Sequence, residues 1–395
     1  MSRFLVMDVV FYGSSLNYDQ GSGNYQELKK ITRWDGRQYT VASRYALRYS
    51  LLETGRKLGL WKIAEGDKLA RAGSGDNTVI QPATELLLSG EILKYPEFDL
   101  FGYLITSTTP QNFRSAPVKL SHAVSMTPFN YDALFNANLG LANRMRKVYG
   151  EMKPNPFTAE EHETFYQYSI VVDIDEIGKA DVFITLSSNI SLGRDDENKE
   201  IKMKIEDVIK EGDKVKFIFK KGKDTEEITQ HNEVKLETFE KINKNLVHIR
   251  YSIPPEKQKE RLKNLIRAVL NLKRSIKGRE EDLRPRLLVL GIYKNAPYQT
   301  FKDRIELIDE YSEEEYDEIE EREEDGKKVV KIKHVVSKSK KPIFRIAGLS
   351  ENTKEPEELD ESKILSLIDD LFNSKEGEIS KVVVFKDPSI EVKLE

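Results

Sequence analysis

DLFGYLITS at residues 99–107 and APVKLSHAVSM at residues 116–126 read as two strands in close succession, with no helical period between them. Adjacent strands of this kind pair antiparallel and disfavour a doubly wound parallel sheet. Upstream, residues 3–12 cluster Phe4, Val6, Val9, Val10 and Phe11 and read as a buried first strand. Downstream, FYQYSIVVDID at residues 165–175 reads as another. Between the first strand and the decisive pair, Trp34-Asp35-Gly36 marks a hairpin. Ser43 then caps a helix with Ala46, Leu47, Leu51 and Leu58 inward, Arg44, Arg48 and Arg56 outward, and Gly59 at its end.

Working outward, residues 83–89 read as a short helix and LVHIRYSI at 246–253 as a strand. Pro254-Pro255 opens a long basic helix to about Ile276, spaced for burial through Leu262, Leu265, Ile266, Val269, Leu270 and Leu272. RLLVLGIYK at 286–294 reads as a final core strand. The order is α+β: a two-helix, antiparallel-sheet core of ferredoxin-like type in one domain, 1–395, with long insertions. Residues 127–166 interrupt the strands and read as inserted, either an arm projecting from the sheet or a short helical subdomain packed on it. Residues 176–245 suggest a peripheral hairpin. Residues 300–395 form a C-terminal elaboration: the acidic run, a turn at Asp325-Gly326, VVKIKHVV, a helix near Ile364 to Phe372 and a strand at VVVF.

With no cysteine, the chain offers no disulfide framework, thiolate zinc site, iron–sulfur ligation or cysteine nucleophile, and a reducing compartment, the cytoplasm, is expected. The start MSRFLVMDVVFYG carries Asp8 and lacks a signal-peptide pattern, and no run reaches membrane-spanning length.

The net charge of −4 hides an uneven distribution. Lys and Arg exceed Asp and Glu by nine to five in residues 1–60, five to one in 111–150 and eleven to four in 257–286. Residues 306–325 hold thirteen acids and one Arg, so one short stretch masks basic character elsewhere. Three basic segments beside one acidic segment make a footprint for polyanions.

Chemistry-bearing motifs are scarce. His122, His162, His231, His248 and His334 are scattered, without metal-ligand spacing. There is neither a Walker loop nor a GxSxG elbow, and Asp19 and Asp35 have no acid or base partner in sequence. No cofactor or metal is expected. The Gly21-Ser22-Gly23 loop, with Asn17 and Asn24, offers either an anion-binding concavity or a mere tight turn. Arg44 and Arg48, one helical turn apart, either span successive phosphates or form a solvated pair. His122 alone reads as structural, and Met126, Phe129 and Phe135 as core.

Taken jointly, GSSLNYDQGSGNYQELKKI, VASRYALRYSLLETG, DLFGYLITSTTPQNFRSAPVKLSHAVSMTPF and FYQYSIVVDIDEIG resemble the backbone subunit of type I CRISPR surveillance complexes, especially the DevR-like branch of I-A and I-B systems. The likeness covers residues 1–177 and, more faintly, 245–293. It implies a modified RNA-recognition-motif palm with a thumb at residues 127–166 that folds over CRISPR RNA and flips one base per short repeat. It implies RNA contacts from Asn17, Gly21, Ser22, Gly23 and Asn24 in the first loop and from Ser43, Arg44, Tyr45 and Arg48 at the helix start. Phe113, Arg114, Ser121 and His122 would face the RNA, and Met126 and Phe129 would wedge beside the displaced base.

The implied partners are CRISPR RNA, target DNA through guide pairing, head-to-tail copies of the chain, the large subunit, a Cas-five-like cap and a Cas-six-like endonuclease, with no membrane. The implied role is non-catalytic and sequence-independent, because pairing by the guide supplies specificity. Two rivals remain at this level: a guide-directed ribonuclease of type III kind using Asp19 or Asp35, and a DNA-binding autoregulator, although no helix-turn-helix signature is present.

Overall fold

The computed structural model describes residues 3–73, 78–151, 154–194, 200–221, 224–294, 297–309, 312–324, 327–339, 341–349, 353, 355–373 and 380–395. It is a mixed α+β chain with many strands and few helices. The first strand, Arg3–Ser14, lies inside the main sheet, antiparallel to Glu163–Asp173 on one side and Leu287–Lys294 on the other. The order across the sheet is Glu357–Glu358, Ser380–Lys386, Leu287–Lys294, Arg3–Ser14, Glu163–Asp173, Ala123–Ser125, Gln38–Ala42, Lys30–Thr32. Leu287–Lys294 is therefore not the last core strand. Ser380–Lys386, expected in a C-terminal elaboration, extends the sheet beyond it.

Alternation along the first strand explains its continuous apolar run. Leu5, Met7, Val9 and Phe11 point to a core shared with helices Arg44–Lys57, Pro255–Leu270 and Glu361–Asn373, through Leu47, Leu51, Leu262, Leu265, Ile266, Val269, Ile364 and Ile368. Val10 points the other way, to Leu287, Val289, Phe301, Phe344, Ile346 and Val384. Both faces are covered, so no polar alternation marks the strand.

Several boundaries differ from expectation. Asp99 to Phe101 close a short helix, Pro96–Phe101, and the strand is only Tyr103–Ile105, because Pro96 starts a helix readily and Gly102, at φ +75°, ends it. Residues 116–126 make two short strands, Val118–Leu120 and Ala123–Ser125, both paired with Glu163–Asp173 and broken at Ser121-His122. The basic helix stops at Leu270, and Lys273–Ile276 turns into a hairpin with Arg279–Asp282. Leu58 follows the first helix as its cap and is half exposed.

Residues 176–245, read as a peripheral hairpin, instead help build a second core. Strands Asn189–Arg194, Glu200–Glu211, Lys214–Lys221 and Asp224–Thr229 form one sheet, and Lys179–Thr185, Leu246–Ser252 and Lys235–Lys241 another. Phe217, Phe219, Ile249 and Tyr251 pack there on Leu86, Leu87, Ile92 and Leu93. The acidic run is strand: Ser312–Glu324 pairs along its length with the lysine-bearing Lys327–Ser339. The turn at Asp325-Gly326 lies outside the described residues.

Candidate nucleic-acid interface

The break at Ser121-His122 brings distant segments to the start of the Arg44–Lys57 helix. A helix leaves its first N–H groups without intrahelical partners. Here Ser43 Oγ accepts from Ala46 N at 3.2 Å, and His122 Nδ1 accepts from Arg44 N at 3.0 Å. Asn17 Oδ1 accepts from Ser43 N at 3.0 Å. Asn17, Ser43, Arg44 and His122 thus form one cluster drawn from a loop, a helix and a sheet edge. Because Nδ1 accepts, neutral His122 carries its proton on Nε2. Burial, then the charges of Arg44 and Lys302, push its pKa down, so it stays neutral at pH 7.

Next to this cluster, Arg44 lies 5.0 Å and Arg48 5.7 Å from the ring centroid of Tyr45, which is 58% exposed. Arg44 also donates to the Tyr45 hydroxyl at 3.0 Å. Neither guanidinium has a carboxylate within ion-pairing distance among the described residues. Two cations without an ion-pair partner within bonding distance, next to an exposed ring, can take a polyanion's phosphates and one of its bases.

The first loop is fixed to the inserted segment. A Cβ on Gly21 would sit 2.0 Å from the Tyr25 carbonyl, so only glycine fits, and Gly23 has φ +58°. Ser22 and Tyr25 bridge, and the Asn24 carbonyl accepts from Thr158 N at 2.9 Å. Tyr25–Gln26 then runs parallel to Phe157–Glu160. Buried Glu160 accepts from Leu28 N at 2.7 Å and from Tyr25 Oη at 3.2 Å, and pairs with Lys30 at 2.5 Å. No sequence pattern announces Glu160, which lies 130 residues from Lys30. The insertion itself combines a strand pair, Ala133–Asn136 with Phe157–Glu160, and a helix, Leu139–Tyr149, with Ala142 buried and Leu139, Leu141, Val148 and Tyr149 exposed.

The remaining expected residues divide. Arg114 is a correction: its guanidinium bonds Asp99 at 2.6 Å and the Glu176 carbonyl at 2.5 Å, only 9% exposed. Burial pushes Asp99 up, but Arg114 and Arg261 outweigh it and hold the carboxyl below its ordinary range. Ser121 is likewise engaged, its Oγ accepting from Ser169 N at 2.9 Å. Phe113 stands 72% exposed on a separate hairpin, opposite Leu104. Met126 packs on the second-face core, and the Phe129 ring lies 4.7 Å under the Lys30 ammonium at the insertion root.

The expected polyanion footprint also shrinks. On the Pro255–Leu270 helix, Lys257 pairs with Glu233, Lys259 and Lys263 with Asp369, Arg261 with Asp99, and Arg267 with Glu361. The two isolated aspartates are held as carboxylates. Asp19 is lowered by the Gln20 N–H and by Lys29, and Asp35 sits at about 2 under the Arg37 N–H, Tyr39 and the Arg37 side chain. Among the described residues no group of three or more His, Asp or Glu could hold a metal ion, and no helix is long and apolar enough to cross a membrane.

Residues 5–316 match the model of a family described as "CRISPR-associated negative auto-regulator DevR/Csa2". A curated relative from Myxococcus xanthus, "CRISPR-associated protein Cas7/Cst2/DevR", is 27% identical over 161 residues, 38% of this chain and 50% of that one; the chain spans about half the length of that relative. A solved chain titled "CRISPR RNA-guided surveillance complex" shares 12% identity, with TM-score 0.37, over 75% of this chain and 72% of its own. Another, titled "CRISPR RNA-guided surveillance complex, pre-nicking", shares 10%, with TM-score 0.38, over 75% and 80%. At that degree of similarity both are likenesses and no more.

Proposed function

The chain belongs to the DevR/Csa2 family of CRISPR-associated proteins, and on that premise we propose that it is a non-catalytic subunit that holds CRISPR RNA by its backbone in a type I, I-B-like surveillance complex. The observation that carries this reading is the convergence of Asn17, Ser43, Arg44 and His122 at one helix start, beside Arg44 and Arg48, which have no carboxylate within ion-pairing distance among the described residues. Phosphate neutralisation with an adjacent exposed ring suits RNA held without regard to sequence. In this reading the sheet and its helices act as a ferredoxin-like palm, and the 127–166 insertion acts as the thumb. The Gly21–Asn24 loop at the insertion's base belongs to the same grip. Copies repeat head to tail along the guide in the cytoplasm, and cutting of the paired DNA belongs to a partner.

Native purification with sequencing of the copurifying RNA tests the proposal. Guides bearing repeat and spacer are the expected result, and a preparation free of RNA would sink it. Regularly spaced cuts in guide-complementary RNA, lost on Asp19→Ala or Asp35→Ala, would replace the non-catalytic role with a ribonuclease. Protection of promoter DNA in the absence of guide RNA would replace it with autoregulation.

A further inference from the structure

The hairpin of Lys273–Ile276 and Arg279–Asp282 turns through Lys277 and Gly278, at φ +46° and +85°. Glycine enters that region freely, whereas a lysine is strained there because its Cβ crowds the following carbonyl. A non-glycine residue kept in that region marks a position where the surroundings dictate the conformation. Arg279 donates to the Ser14 and Ser15 carbonyls at 3.0 and 3.1 Å, and Arg274 donates to the Leu16 carbonyl at 2.8 Å. The hairpin is thereby clamped to the strand end that leads into the first loop.

From this clamp Lys277 reaches across the loop. Its ammonium lies 3.6 Å from the ring centroid of Tyr18 and bonds the Gln26 side chain, and these two residues flank Gly21 to Asn24 on either side. Within the loop, the N–H groups of Gly21, Gly23 and Asn24 meet no acceptor among the described residues. The acid facing the ammonium is Glu161, already bonded by Ser15 and Arg279. Lys277 itself has no carboxylate within ion-pairing distance among the described residues. A cation held against the two residues that bound a loop of unbonded backbone N–H groups is the chemistry of a phosphate position.

We propose that Lys277, 251 positions beyond Gln26 in the chain, completes a phosphate-binding position with the Gly21–Asn24 backbone and is a further RNA contact. This rests on the reading that the chain holds RNA. The test measures binding of single-stranded polyuridylate to the full chain over a salt series, together with thermal unfolding, for wild type, Lys277→Gly, Lys277→Arg and Arg44→Ala. Lys277→Gly is expected to weaken binding roughly tenfold and to lower the log–log salt slope by about 0.7. Its melting temperature should hold or rise, since glycine relieves the turn, and Lys277→Arg should restore binding. Unchanged affinity and slope in Lys277→Gly, with Arg44→Ala weakened, would overturn the proposal alone, as would a fall in melting temperature. Failure of wild type to bind, or no effect in Arg44→Ala either, would instead bring down the RNA reading beneath it.

Discussion

The Arg44–Lys57 and Pro255–Leu270 helices pack against each other on one face of the main sheet, and both present rows of cations. On the second helix each named cation meets an acid: Glu233, Asp369, Asp99 or Glu361. On the first, the Arg44 and Arg48 guanidiniums lie over Tyr45 and have no acid within ion-pairing distance among the described residues. Charge counted along a sequence does not distinguish these cases. What makes a binding face is the charge left over after the fold has formed its own pairs.

The sharpest way to break this comparison is Arg261→Ala. Asp99 is fully buried and would lose one of its two guanidinium partners, so a loss of about 3–5 kcal/mol is expected in urea unfolding. A loss near zero would mean that the second helix's cations are not structural. Glu160→Ala comes next, because it removes the acceptor for Leu28 N and the partner of Lys30; a cost of about 1–3 kcal/mol is expected from the same measurement. It should also weaken RNA binding by releasing the first loop.

Arg44→Ala and Arg48→Ala give the opposite signature. Stability should stay within about 0.5 kcal/mol, while affinity falls for every RNA sequence and the salt slope drops by about 0.7 per lost contact. An unchanged slope in both would place the two helices in the same class.

The smallest effect is in pH. The folded pKa of His122 lies below its ordinary value, so the native state binds fewer protons than the unfolded one. Its contribution to stability is present above about pH 6.5 and is lost as pH falls through the folded value. His162, lowered by burial, acts in the same direction. Asp8, raised to about 6 chiefly by burial, acts oppositely: its contribution is present below the ordinary aspartate range and is lost as pH rises through 6. The prediction therefore concerns a difference: against wild type, His122→Gln should show a shallower decline in stability between pH 7 and 5, measured by urea titration.

The first strand and the capped helix were legible in the sequence because period, cap and burial are local properties; the order of strands across the sheet was not, because it is set by pairings between distant segments. Ser43 was legible as the cap of that helix for the same reason. Arg114 was not legible, because a buried acid fifteen residues away, on a short helix whose residues read as strand, decides what that guanidinium does. Glu160 and Lys277 carry no local signal, since each acts on a loop more than 130 positions away in the chain. The second core was hidden because its Lys/Glu-rich strands alternate with buried Ile and Phe, a pattern that also fits an exposed hairpin.

The ribbon of Ser312–Glu324 and Lys327–Ser339 has a last consequence. Among the described residues it pairs with nothing but itself, so both of its outer edges present unpaired backbone groups. Such edges invite strand addition by any extended chain and are a usual start of aggregation. One edge strand here is mostly acidic and the other is studded with lysines. A second ribbon adding in like-to-like fashion meets its own charge, so the composition that made this stretch look like a mere counterweight disfavours acid-to-acid and lysine-to-lysine addition and leaves acid-to-lysine pairing as the one register of edge addition it does not oppose.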